Sequence, residues 1–402
     1  MLLQGSMCTV LQYTSSHTST WLSANERKFS AKQTVIRVIT VIFIEIMIFL
    51  ILGKLSEEKK SLKRIQDSQR NICIEIEKLS NHPFYSMHYY GDDCFEAYLL
   101  RGAHSLEDYC AFIDTALIRN RDNPIRHNHF GCGAFVAQNR NGDILFARNM
   151  DCEYAIPMLL ELNVASSYRF LSLVNMAFLD WDEKTYDSLE TDSKLTFATA
   201  YSPSDGINEY GFAIAILTDV DAAYPGQKGK ITLFDMTLPR LLLSKARSVE
   251  EAIQYTEQYN LFYDVAPLHY MVADASGHSA VIEFADGKMV VTRSEKKFQV
   301  VTNFALYNTT SKTGFGRDRY ENMQNTLEIQ RGVISEEDAL ELLKRNVIPG
   351  DEQWSAVYNL TQKTLSVTFS GEYEHVHRFH MHDESDMFCD NMKDTWERTE
   401  KI

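Results

Sequence analysis

Cys132 opens a segment in which one turn brings three side chains of different chemistry together. The run Gly131-Cys132-Gly133-Ala134-Phe135-Val136-Ala137 is followed by Asn141-Gly142-Asp143 and then by Ile144-Leu145-Phe146-Ala147-Arg148-Asn149-Met150-Asp151. Asn-Gly between two apolar runs of strand composition is a strong hairpin signal. Folding there returns Arg148 and Asp151 to Cys132. A thiol, a guanidinium and a carboxylate then meet at one end of a rigid element, which suits a nucleophile with groups to orient it. A hairpin with an exposed Arg and Asp is also common without any chemistry.

A free cysteine has a pKa of roughly 8.5, so at neutral pH its thiol needs a base or a positive neighbour. Breaking the Gly131–Cys132 bond would supply the base from the residue itself, because an α-amine titrates at roughly 7.7–8.0. Asp151 would hold that amine through a charge-assisted hydrogen bond, and Arg148 would favour the thiolate and fix a substrate carbonyl.

The segment from Cys132 to Asp151, with Arg148 three residues before the acid, resembles the start of the choloylglycine hydrolase family and its penicillin-acylase relatives. These are linear-amide C–N hydrolases of the N-terminal-nucleophile (Ntn) superfamily. Further similarities follow in family order: Asp205-Gly206-Ile207-Asn208-Glu209-Tyr210-Gly211-Phe212, then Val301-Thr302-Asn303, then Gly314-Phe315-Gly316-Arg317-Asp318-Arg319-Tyr320. The resemblance runs from about Asn81 to about His382. It implies Cys132 as nucleophile, Arg148 and Asp151 as the groups that orient it and bind its amine, and Arg319 as a second pocket arginine. It also implies an oxyanion site from the Asn208 backbone N–H and the Asn303 side-chain amide. Two positions depart from the pattern: Gly133 stands where Thr or Ser is usual, and Ala147 where Gly is usual. The loss of a hydroxyl at Gly133 bears on rate more than on reaction type.

The 402-residue chain can bury one large core with extra segments. Seven scattered cysteines without a CxxC pair exclude a disulfide scaffold and a zinc-ribbon pattern. Residues 1–70 carry ten Lys/Arg against five Asp/Glu, which leaves thirty against fifty for the remainder. So acidic a body excludes nucleic acid as a partner.

Residues 1–33 are polar and read as disordered. Residues 34–53 form an apolar run, with Arg37 near one end and Glu45 within it, that reads as a single membrane anchor. The sequence therefore predicts a single-pass protein with an extracytoplasmic catalytic body. Residues 54–131 make a charged stalk and pro-segment, in which Ser105-Leu106-Glu107-Asp108 signals a helix start. Residues 132–385 form the hydrolase domain and 386–402 a tail. Strands are expected at 170–178, 211–220, 269–275, 279–285, 288–293 and 299–304, with a late hairpin over 354–370. Helices are expected at 232–246, 249–259, 319–329 and 336–345, the second opened by a Ser248/Glu251 capping box. Helices set between runs of antiparallel strands predict an α+β fold. The resemblance implies its four-layer αββα form, here preceded by the anchor helix.

His375, His377, His380 and His382 invite a metal reading, but strand alternation puts the pairs on opposite faces and favours a solvated strand. His127 and His129 sit before the proposed break, where a polar loop accounts for them equally well. Cys152 reads as a packing residue. No P-loop, GxGxxG or zinc-protease pattern is present, so neither a cofactor nor a metal is expected. Three functions remain open: a hydrolase of a small acyl amide, an acyltransferase using the same site, and a membrane-anchored relative without activity. The residues leave open which amide is used and whether the chain self-associates.

Overall fold

The computed structural model describes residues 36, 38–53, 73–79, 84–91, 93–113, 131–152, 154–179, 198–308, 314–350 and 352–381. The polar N-terminus, the stalk over 54–72, His127, His129, His382 and the tail lie outside them. The chain divides into two compact units, Met1–Lys63 and Arg64–Ile402.

In the first unit residues 38–53 are helical, with exposed apolar side chains such as Phe43 and Phe49. Among the described residues no helix is long and apolar enough to cross a membrane. The expected anchor over 34–53 is therefore not supported.

The second unit contains seventeen described strands: β1 Cys73–Lys78, β2 Tyr85–Tyr90, β3 Gly131–Gln138, β4 Ile144–Asp151, β5 Pro157–Asn163, β6 Phe170–Asn175, β7 Asp205–Asn208, β8 Ala213–Thr218, β9 Thr232–Phe234, β10 Asn260–Phe262, β11 Leu268–Ala273, β12 Ser279–Ala285, β13 Lys288–Thr292, β14 Gln299–Val301, β15 Glu352–Asn359, β16 Thr364–Phe369 and β17 His377–His380. Nine form one sheet in the order β1-β2-β5-β6-β7-β8-β11-β12-β13, six form a second in the order β14-β3-β4-β15-β16-β17, and β9 pairs with β10. The larger sheet begins with strands that precede Cys132, because β2 pairs in parallel with β5.

Strand alternation sorts the side chains into three cores. Cys132, Ala134, Val136, Phe146 and Met150 point inward to meet Leu171, Ile207, Ala215 and Met271 of the larger sheet. The intervening Phe135, Ala137, Leu145 and Ala147 point outward, onto the helices α5 Arg317–Ile329 and α6 Glu336–Lys344. The far face of the nine-stranded sheet is covered by α1 Phe95–Arg101, α2 Leu106–Ile113, α3 Leu238–Lys245 and α4 Val249–Glu257. The result is helix, sheet, sheet, helix.

Local chemistry explains the boundaries. Asn139 Oδ1 accepts the N–H groups of Asn141 and Asp143, both at 2.9 Å, and Gly142 adopts φ 90°. The β3–β4 turn thus needs a glycine at its left-handed position. The expected helix 232–246 starts only at Leu238, after β9 and a short 3-10 turn. Pro239 lies in its first turn, where a missing N–H costs nothing. Ser248 caps α4 by accepting the Glu251 N–H.

Candidate active site

Cys132 is the second residue of β3 and faces Met150 across the ladder. Its side chain lies between the two sheets, 2% exposed. Arg148, two residues before Met150, shares that face. The guanidinium donates to Cys132 Sγ at 3.4 Å, to the Ile216 carbonyl at 3.2 Å and to Asp205, whose ion pair with it is completely buried. Asp205 is itself clamped by Trp354 Nε1 at 3.0 Å and by the Tyr358 hydroxyl. Arg148 is therefore fixed before any substrate arrives.

Burial pushes the Cys132 thiol above its ordinary value; Arg148, Arg319 and the Asp151 backbone N–H oppose that, and the Asp151 charge adds to it. Desolvation disfavours the thiolate more than the arginines favour it. The geometry thus calls for a base close to the sulfur.

The Cys132 backbone nitrogen, the atom that would become an α-amine, donates to Asn303 Oδ1 at 2.7 Å. Asn303 Nδ2 donates to the Thr218 carbonyl at 3.0 Å. A carbonyl only accepts and a peptide N–H only donates, so the orientation of this amide is determined by its neighbours. With the Gly131–Cys132 bond intact, the Asn303 amide, expected at the oxyanion site, holds the nitrogen of Cys132. Arg319, in the first turn of α5, donates to the Cys132 carbonyl at 3.0 Å, to Asn303 Oδ1 at 3.2 Å and to Asp151 at 3.4 Å. Asp151 is opposite Gly131 in the ladder and completely buried. By the alternation of β4 its side chain lies on the α5 face, with the thiol on the other.

Asn208 is not brought to this cluster. Its N–H donates to the Phe212 carbonyl at 2.9 Å, and its side chain donates to the Leu243 and Ala246 carbonyls at the end of α3. Three residues along a strand cover roughly 10 Å, so Asp205 and Asn208 occupy opposite ends of β7. The residue in that motif that reaches the site is Asp205.

Thr218 is a second residue not foreseen. The Asp219 N–H bonds across to the Pro267 carbonyl of the β11 side, so alternation turns the Thr218 N–H and C=O the other way. That is the side on which its carbonyl meets Asn303 and the Ile216 carbonyl meets Arg148. The Thr218 N–H is thus a backbone donor aimed at the nucleophile's surroundings.

Two glycines make room. A Cβ on Gly131 would lie 1.8 Å from Ile348 Cδ1, and one on Gly133 would lie 3.2 Å from the Met323 methyl group. The departure at Gly133 accompanies close packing of α5 on β3.

Beyond Cys132 an apolar cavity opens, lined by Met150, Phe178, Leu179, Ile216 and Leu268, and by Leu106 and Tyr109 of α2. Cys152 is buried and its thiol is raised well above its ordinary value by burial, which makes it a packing residue. Of the late histidines, His375 is exposed beside Glu372 and His377 packs on Phe84, in keeping with a solvated edge strand.

The site combines a hairpin-borne thiol, a fixed arginine and an amide on the thiol's own backbone nitrogen, an arrangement suited to linear amide C–N hydrolases. The model of such hydrolases, choloylglycine hydrolase family, matches residues 132–331, and that part of the chain belongs to the family. A penicillin V acylase from Pectobacterium atrosepticum is 33% identical over 114 residues, 25% of this chain and 30% of its own length, so the match spans less than a third of that curated relative. Two solved structures are also similar. A mutant conjugated bile acid hydrolase from Clostridium perfringens is 16% identical, with TM-score 0.46, covering 64% of this chain and 93% of its own. A penicillin V acylase from Agrobacterium tumefaciens is 21% identical, with TM-score 0.42, covering 60% and 83%.

Proposed function

We propose that the protein hydrolyses linear amides of apolar acyl groups with Cys132 as nucleophile, after its own Gly131–Cys132 bond is broken. The observation that carries this reading is the Cys132 nitrogen bonded to Asn303 Oδ1 in a residue whose thiol is held by Arg148 at the mouth of an apolar cavity.

In the first stage Cys132 Sγ attacks the Gly131 carbonyl, the peptide nitrogen leaves as the α-amine, and water releases Gly131 from the thioester. In the second, the amine takes the thiol proton as sulfur attacks the substrate carbonyl. It then gives that proton to the departing amine. The acyl-enzyme is hydrolysed by water. The Thr218 N–H is the donor placed for the oxyanion, an interaction worth about 3–4 kcal/mol where such donors have been removed. Asn303 and Arg319 keep the amine in register with the sulfur. An apolar cavity suits an apolar acyl chain, because polar groups entering it would lose their water without replacement.

The exposed apolar side chains over 38–53 support contact with a membrane surface, and we place the catalytic body outside the cytoplasm as a proposal of its own. Co-sedimentation of the full chain, but not of a chain lacking residues 1–63, with lipid vesicles tests the attachment; protease accessibility in intact cells tests the side.

Intact mass and N-terminal sequencing test the main proposal. Purified protein should yield a fragment beginning Cys132-Gly133-Ala134, and Cys132→Ala should remain full length and inactive. Activity from a chain whose Gly131–Cys132 bond is intact would sink the mechanism.

A further inference from the structure

Three buried titratable groups that the mechanism does not use converge beside the site. Asp219 follows β8, His269 lies on β11 and Glu283 on β12, which are neighbouring strands. The registers place His269 opposite Leu217 and continue to Glu283 across from His269. Asp219 is two residues beyond Leu217. All three side chains therefore leave the sheet on one face, and all are 0% exposed.

Their other partners leave one potential ligand atom of each close to the other two. His269 Nε2 is 2.9 Å from the Thr302 carbonyl. A carbonyl can only accept, so Nε2 carries a proton and Nδ1 is the ring atom left to face the two carboxylates. Glu283 accepts the Leu306 N–H at 2.5 Å, the Tyr307 N–H at 3.1 Å and the Thr292 hydroxyl, and Asp219 Oδ1 accepts the Asp221 N–H at 3.2 Å. His269 Nδ1 lies 3.9 Å from Asp219 Oδ2 and 3.8 Å from Glu283 Oε1, too far for a hydrogen bond. Neither His269 Nδ1 nor Asp219 Oδ2 has a hydrogen-bond partner. Among the described residues no lysine or arginine pairs with either carboxylate. One ligand atom from each residue lies within 4.8 Å of the other two.

We propose that Asp219, His269 and Glu283 bind a divalent cation of the zinc class. Two buried acidic side chains and an imidazole converge here with His269 Nδ1 and Asp219 Oδ2 unsatisfied, and leaving buried polar atoms unsatisfied is costly. An imidazole with two carboxylates suits zinc or manganese better than calcium or magnesium, which prefer oxygen alone. The Thr302 carbonyl on the distal ring nitrogen is the contact that fixes a metal-binding histidine's tautomer. The site holds the cation for position. Thr302 precedes Asn303, which holds the Cys132 nitrogen, and Asp219 follows Thr218, whose carbonyl orients the Asn303 amide. A cation here ties both chain segments behind the nucleophile.

The test uses the full chain, purified without chelator and analysed by elemental mass spectrometry. About one equivalent of zinc or manganese is expected, retained in Cys132→Ala and lost in Asp219→Asn and His269→Gln. Chelator should lower the wild-type Tm by roughly 5 °C or more, added zinc should restore it, and the two variants should respond to neither. If a variant does not fold, wild-type metal content and chelator response decide alone. Metal-free wild type whose Tm is unmoved by zinc and manganese overturns the proposal. So does an imidazolium at His269 in metal-free protein, seen by NMR, because a proton would then balance the acids. Metal that disappears in Cys132→Ala places the ion on the thiol and overturns it equally.

Discussion

Arg148–Asp205 and Arg240–Asp93 are both completely buried ion pairs, yet they are built to different ends. Arg240 spends its remaining contacts on structure: the hydroxyls of Ser167 and Ser244, and the ring faces of Phe95 and Phe170 at 4.6 and 5.2 Å. Its partner Asp93 accepts the Phe95 N–H at the start of α1. Arg148 instead directs donors at a sulfur and a strand carbonyl, while Trp354 and Tyr358 hold Asp205. A buried pair is a poor source of net stability, because desolvation consumes most of the attraction. What separates a structural pair from a working one is where the arginine's spare N–H groups point.

The sharpest way to break that distinction is to remove each arginine. Arg148→Met and Arg240→Met each leave a buried carboxylate, so urea unfolding should show each destabilised by roughly 3–5 kcal/mol. Only Arg148→Met should also lower kcat/KM, by at least about 100-fold. A fall of similar depth in folded Arg240→Met would erase the difference.

Asp235 sharpens the comparison, because among the described residues no arginine pairs with it. Burial pushes it up to about 8, against the hydrogen bond it accepts from Tyr224. Its unfolded value is roughly 3.9. The folded state therefore binds this proton more tightly, and the stability that Asp235 contributes is complete below the unfolded value. It declines as pH rises to about 8, at up to roughly 1.4 kcal/mol per pH unit. Asp235→Asn should remove that decline from the pH dependence of the urea midpoint. An unchanged slope would mean that the carboxyl titrates normally.

The smallest effect is expected at the other end of β7. Asn208→Ala removes the hydrogen bonds to the Leu243 and Ala246 carbonyls and those accepted from the Tyr210 and Phe212 N–H groups, and should cost roughly 1–3 kcal/mol with kcat/KM unchanged. A large loss of kcat with stability intact would return Asn208 to the chemistry.

These contrasts show what was legible in the chain. Cys132 and Arg148 are joined by one short turn, so their meeting follows from local pattern, and the resemblance carried Asn303 and Arg319. It did not reveal which end of Asp205–Asn208 reaches the sulfur. That depends on how β7 registers against β6, where Asn208 faces Phe170 and Asp205 faces Leu173. Asn303 was expected in the site, but its role turned on which neighbours claim its two amide atoms. Asp219, His269 and Glu283 are separated by long stretches of sequence, and only the sheet order makes them neighbours. The strands before Cys132 were missed because parallel pairing with β5 leaves no turn signal between partners.

That parallel pairing has a consequence for mass action. On the proposed break at Gly131, β1, β2, α1 and α2 become a separate polypeptide, yet they still supply the edge of the nine-stranded sheet and part of the cavity wall. A fold that was unimolecular becomes a complex of two chains without any atom of its core moving. Its melting temperature then depends on protein concentration. Dilution, harmless to the precursor, becomes a way to unfold the mature protein.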